Sequence, residues 1–126
     1  MFSHVMVGAN DVAESKKFYD ATLEVLGHRP GRMDPKGRCM YAEKSGLFML
    51  TKPIDGEPAT HGNGTTLGFA ASSPEMVDAW HKAGLAAGGK AIEDPPGIRE
   101  GGGIKLYLAY LRDPSGNKIC ALHRVA

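Results

Sequence analysis

Hydrophobic positions along the chain follow two periods in turn. His4 to Gly8 alternates with a period of two, which suits a strand buried on one face. A stretch then follows with apolar or small residues at Val12, Ser15, Phe18, Tyr19, Thr22 and Leu26, the inward stripe of an amphipathic helix. The same succession returns in the second half, where Thr66 to Ala70 alternates and Met76, Val77, Trp80, Ala83 and Ala87 form another helical stripe. Residues 4 to 28 lie on residues 66 to 90 without a gap, pairing Val5 with Leu67, Phe18 with Trp80 and Gly27 with Gly89. Identities between the copies are few, so the repeat rests on pattern.

Helix boundaries are marked in both copies. Asp11 followed by Glu14 has the spacing of a capping box, and Ser73-Pro74 places an N-cap before the proline favoured in the first turn. Gly27 and Gly88-Gly89 provide the stops. Beyond each helix come strand candidates, Cys39 to Glu43 and Leu47 to Lys52 around Lys44-Ser45-Gly46, then Lys105 to Arg112 and Lys118 to Arg124 around Asp113-Pro114-Ser115-Gly116-Asn117. A further strand is expected directly after each helix, near His28 to Met33 and Lys90 to Glu93.

The pattern therefore predicts an α+β fold of two tandem βαβββ modules, about 1–57 and 64–126, within a single domain. Their strands would form a curved mixed sheet around a cavity, with the helices on the outer face.

Composition narrows the function classes. Fifteen Lys and Arg against fourteen Asp and Glu leave a formal charge of +1, which supplies no electrostatic basis for nucleic acid or an anionic membrane. No apolar run reaches membrane-spanning length, and Cys39 and Cys120 are too few for a disulfide framework. The expectation is a cytoplasmic protein with reduced thiols whose partners are small molecules or copies of itself. Gly62-Asn63-Gly64 with Gly68 is not a dinucleotide fingerprint, since it leads into a strand where a helix N-terminus is needed. Residues 95 to 103, with two prolines and three consecutive glycines, read as a flexible surface loop before the penultimate strand, with a lid as the functional alternative. Arg29, Arg32, Lys36 and Arg38, with Asp34 among them, read as a solvated basic face.

Three motifs in order, His4-Val5-Met6-Val7 with Asn10-Asp11 and Phe18-Tyr19, then Gly64 to Phe69, then Arg112-Asp113-Pro114-Ser115-Gly116-Asn117-Lys118-Ile119, carry a resemblance over the whole chain. The sequence resembles the vicinal oxygen chelate superfamily of glyoxalase I, extradiol dioxygenases and fosfomycin- and bleomycin-resistance proteins. That resemblance implies a glyoxalase-like domain, a homodimer, and a divalent metal such as zinc, nickel, manganese or iron held by the first and last strands of each module. The corresponding positions are His4, a residue among Phe48, Met49 and Leu50, Thr66, and Cys120.

His4 and Cys120 are the metal-ligand candidates, because imidazole and thiolate both suit zinc. They supply two of the three protein ligands that catalytic zinc sites normally have, and no glutamate stands at the expected general-base position. Tyr110, Thr66 and Arg112 are the substrate-binding candidates, Tyr110 being expected on the same face as Cys120 across the hairpin. For each, a plain structural role is the alternative: a strand histidine, a buried thiol, a core aromatic, a solvated arginine. His61 and Asn63 in the connection between modules read as surface loop. Two functions stand side by side: a metal-dependent lyase or isomerase acting on vicinal oxygens, and a metal-free small-molecule binding protein of the resistance or sequestration type. An extradiol dioxygenase ranks third, since its two-histidine, one-carboxylate set is absent from these positions.

Overall fold

The computed structural model describes residues 1–126. Its elements run β1 (His4–Gly8), α1 (Val12–Val25), β2 (Arg32–Met33), β3 (Cys39–Glu43), β4 (Gly46–Thr51), β5 (Leu67–Ala70), α2 (Pro74–Ala86), β6 (Lys90–Gly101), β7 (Ile104–Arg112) and β8 (Lys118–Arg124). Two four-stranded mixed sheets result, ordered β1-β4-β3-β2 and β5-β8-β7-β6. The first strand of each module pairs in parallel with its last, and the remaining pairs are antiparallel. The orders match position for position, as two copies of one βαβββ design require. β1 and β5 are sheet edges with no ladder between them, so there is no closed barrel.

Each helix starts where its cap dictates. Asp11 accepts from the Glu14 N–H at 3.1 Å and Ser73 from the Met76 N–H at 3.1 Å, so each satisfies a donor of the first turn. At the far ends the repeat slips by one residue, because α2 is one residue shorter than α1. The left-handed residue is Gly27 (φ 94°) after α1 and Gly88 (φ 100°) after α2. The next N–H in each case, His28 or Gly89, reaches back to the carbonyl of Leu23 or Gly84 at 2.9 and 2.8 Å. Gly27 is thus equivalent to Gly88, and not to Gly89 as the gapless alignment has it.

Both helices pack against one another and on one face of the sheets. The shared core draws Phe18, Tyr19 and Leu23 from α1, Val77 and Trp80 from α2, and Tyr41, Phe48, Leu50, Leu111 and Ile119 from the strands. The helices cross at equivalent positions, Thr22 and Gly84, where a Cβ on Gly84 would lie 3.4 Å from the Thr22 methyl and collide with Leu111. Three rings bridge the modules: Tyr19 and Phe48 at 4.9 Å between centroids, and Phe48 and Phe69 at 5.3 Å and 86°, both edge-to-face.

Two expected boundaries are corrected. The strand near His28 to Met33 shrinks to Arg32–Met33. The preceding segment is used up by the helix stop, and Gly31 donates its N–H to Asp20 at 2.8 Å, in a space that Cys39 and Tyr41 leave only for glycine. The strand from Lys90 does not end at Glu93 but runs to Gly101, absorbing much of the expected loop. An irregularity between Ile92 and Gly97 takes up Pro95 and Pro96 on the outer edge of the sheet, where a missing N–H costs no ladder bond. Only Gly102-Gly103 remain as the turn. Of the basic cluster, Arg38 is bound to Asp34 at 2.6 Å.

The β7–β8 turn joins the modules. Asp113 is 4% exposed and accepts the Tyr19 hydroxyl at 2.6 Å, while Asn117 donates to both Asp113 and the Gly8 carbonyl at 2.8 Å. Burial, reinforced by the Asp113 charge, pushes the Tyr19 phenol well above its ordinary pKa, so it remains a donor. Replacing Tyr19 by Phe removes one of the two donors to that oxygen of a buried carboxylate, leaving the Asn117 amide alone. Urea denaturation should show a loss of about 1.5–3 kcal/mol, the scale for a hydrogen bond to a charged group; a loss below ~0.5 kcal/mol would show that the contact is not holding the modules together.

Candidate functional site

The candidate positions from the sequence fall on the sheet faces turned away from the helices. Parallel pairing sets His4 beside Leu47 and Met6 beside Met49, which places His4 and Met49 on that outer face while Phe48 and Leu50 enter the core. In the second sheet Tyr110 lies opposite Cys120, and Arg112 opposite Lys118, so these share the equivalent face as the hairpin geometry implies. Thr66, just before β5, has the parity of Gly68, which neighbours Cys120. Met49, Leu108 and Cys120 are buried, yet they stand outside the shared core. No helix covers these faces.

The chemistry of each position is now specific. Burial raises the Cys120 thiol above its ordinary pKa; nearby Glu93 adds to the rise and Lys118 opposes it. The Tyr110 phenol is raised by burial first, then by Cys120 and Glu93. Lys118 bridges the two, ion-paired with Glu93 and with its ammonium 4.8 Å from the centre of the Tyr110 ring. Arg112 donates to the Gly116 carbonyl at 2.9 Å and so braces the β7–β8 turn, over which His61 also lies. His4 is exposed at the start of β1, with Nδ1 2.8 Å from the Ser3 hydroxyl.

As a donor set, His4, Met49, Thr66 and Cys120 offer an imidazole, a thioether, a hydroxyl and a protonated thiol, with no carboxylate among them. No three His, Cys, Asp or Glu side chains gather around a common point. A divalent cation of the kind the resemblance implies needs about three protein ligands of harder or anionic character. The residues present do not fit it.

What the chain does form is a cavity between the modules. It measures about 460 Å³, within the roughly 300–1,000 Å³ of small-ligand sites, and is lined by residues of both free edge strands, β1 and β5. Val5, Leu23, Leu47, Phe48, Leu67 and Phe69 give it apolar walls; His4 and Thr66 both line it, whereas Cys120, Tyr110 and Arg112 do not. The sequence thus locates two of its five candidates at the cavity. Tyr41 adds a ring only, since its hydroxyl is committed to Asp20 at 2.8 Å. His28, Glu43 and Ser45 also line the cavity, and no motif marked them.

Paired βαβββ modules with an apolar cleft between them define a class, and comparison with known proteins names it. The chain belongs to the glyoxalase/bleomycin resistance protein/dioxygenase superfamily, whose family model matches residues 1–121. It is 64% identical to a glyoxalase/bleomycin resistance protein from Albidiferax ferrireducens T118, with a TM-score of 0.95 over 98% of this chain and 99% of that one. More distant folds include a glyoxalase/bleomycin resistance protein/dioxygenase family enzyme from Burkholderia phytofirmans PsJN (21% identity, TM-score 0.73, 96% of each chain). A lactoylglutathione lyase from Agrobacterium tumefaciens is 18% identical, with a TM-score of 0.64 over 98% of this chain and 92% of that one. No curated protein matches the sequence. No helix is long and apolar enough to cross a membrane.

A buried thiol with a raised pKa should be chemically quiet. In native protein at pH 7, Cys39 and Cys120 should react with an aromatic disulfide reagent at least about a hundredfold more slowly than in urea. Rapid native-state labelling of Cys120 would show an accessible thiolate and restore it as a metal-ligand candidate.

Proposed function

We propose that this chain is a metal-free binding protein of the resistance or sequestration type, holding a small ring-containing molecule in the cavity between its modules. The observation that carries this reading is the apolar lining of that cavity, walled by side chains from both modules. A lining of this kind binds by excluding water and asks nothing of a metal. Thr66 and His4 would contact the ligand at the cavity mouth. The metal-dependent lyase is disfavoured by the donor chemistry at His4, Met49, Thr66 and Cys120, and no step is assigned to it.

The working unit is proposed to be a homodimer in the cytoplasm. Each sheet presents an apolar outer face, with Met6 (38% exposed) and Leu47 on one and Ile104 (38% exposed), Leu106 and Leu122 on the other. Pairing with a second copy would cover such faces and enclose Tyr110 and Cys120. Both cysteines are free and buried, which suits a reducing compartment.

The tests are direct. Purified protein, before and after EDTA treatment, should bind 2-methoxynaphthalene with the same affinity and show no turnover of a glutathione hemithioacetal with zinc, nickel or manganese added. Leu67→Ala, in the cavity wall and off the proposed dimer face, should weaken binding by roughly fivefold to tenfold, from about 1–1.4 kcal/mol of lost apolar contact. Metal-dependent turnover would overturn the reading in favour of the lyase. Light scattering should give twice the 13.4 kDa of one chain; a monomer at micromolar concentration would remove the dimer.

A further inference from the structure

We infer that the His28–Glu43 pair at the rim of this cavity is a recognition site for the hydroxyl of a neutral aromatic compound, the class of ligand the cavity would take. The inference rests on the binding-protein reading and specifies its ligand.

The pair arises from two unrelated element ends. His28 follows the left-handed Gly27 that stops α1, and Glu43 is the last residue of β3, beside the turn that carries Ser45. His28 Nδ1 lies 3.2 Å from Glu43 Oε1, with the side chains 30% and 36% exposed. His28, Glu43 and Ser45 all line the cavity, together with the apolar walls of Phe48 and Phe69. With Glu43 Oε1 3.2 Å from Nδ1, a ring that carries its one proton on Nδ1 would present the Nε2 lone pair as an acceptor. No group of the chain bonds Nε2. A carboxylate beside one nitrogen and no bonded group at the other, on a residue that lines the cavity, leaves the imidazole free to meet a ligand.

The second module shows that the residue here is not dictated by the fold. At the equivalent place, after Gly88, stands Gly89, where a Cβ would come within 2.7 Å of the Phe18 ring and 2.9 Å of the Gly84 carbonyl. One copy of the helix stop is closed by packing against Phe18; the other is open and carries the imidazole.

Ligand class follows from the surroundings. Phe48, Phe69 and Tyr41 offer ring surfaces, so the body of the ligand is apolar and flat. With that tautomer the rim would offer an acceptor at Nε2 beside the carboxylate oxygens and negative charge of Glu43, so a neutral O–H donor is favoured and a carboxylate or sulfonate is repelled. A single added hydrogen bond in a largely apolar site discriminates by about fivefold or more.

The experiment uses two probes with the same ring system, 2-naphthol and 2-methoxynaphthalene, the second lacking the donor. Wild type should bind 2-naphthol at least about fivefold more tightly than the ether. His28→Ala should bring the two affinities together while leaving ether binding within about twofold of wild type, and Glu43→Gln should reduce the preference part of the way. Addition of 2-naphthol, and not of the ether, should shift the His28 ring proton resonances, and both variants should keep the wild-type circular dichroism spectrum. Equal affinities in wild type, or a preference unchanged in both variants, would overturn the assignment and leave the binding-protein reading intact. Failure of both probes to bind would overturn both.

Discussion

The contact on which the relative placement of the two modules depends is the buried Asp113 carboxylate. A charge taken out of water must have its lone pairs met, and here both oxygens are engaged. One accepts the Ser115 and Asn117 N–H groups at 2.9 and 3.0 Å, which shapes the turn; the other accepts the Tyr19 hydroxyl and the Asn117 amide, which reach into the first module. Asn117 continues to the Gly8 carbonyl and Ser115 accepts from the Asn10 N–H, so the end of β1 is tied to the start of β8. Since no backbone ladder joins β1 to β5, this polar knot and the ring cluster of Tyr19, Phe48 and Phe69 position one sheet against the other. The cleft between them exists because of that placement.

Much of this architecture is legible in sequence because local chemistry states it twice. Alternation at His4–Gly8 and before Ala70, the N-caps Asp11 and Ser73, and the Asp113–Asn117 turn each act over a few residues, within reach of pattern reading. Where the reading strays, tertiary contacts decide. Pro95 and Pro96 look like loop because proline cannot donate to a ladder, but an edge strand with an irregularity accommodates them. Gly89 looks like a helix stop equivalent to Gly27; it is instead a residue kept small by Phe18, from the other module.

The site is less legible than the fold for the same reason. His4 and Thr66, singled out by their places at the starts of equivalent strands, border the cavity proposed to hold the ligand. Cys120 and Tyr110 are correctly set on one face, but that face is outside the cavity of the single chain. His28 and Glu43 carry no motif. They meet because a helix end and a hairpin end lie at the same edge of the module, a fact that belongs to topology and not to spacing. The one hint in the chain is an asymmetry, a histidine where the second copy has glycine.

The Phe48–Phe69 contact has a consequence for how this fold diversifies. Cavity width is governed by a spacer made of side chains, whereas the stability of each sheet is governed by ladders confined to one module. Exchanging a ring for a smaller or larger group at the seam can therefore alter the distance between the walls without unpairing a single strand. Cavity dimensions and strand pairing are set by different groups, side chains at the seam and backbone ladders within each module, so such a scaffold can be refitted to molecules of different girth by a few changes along one line.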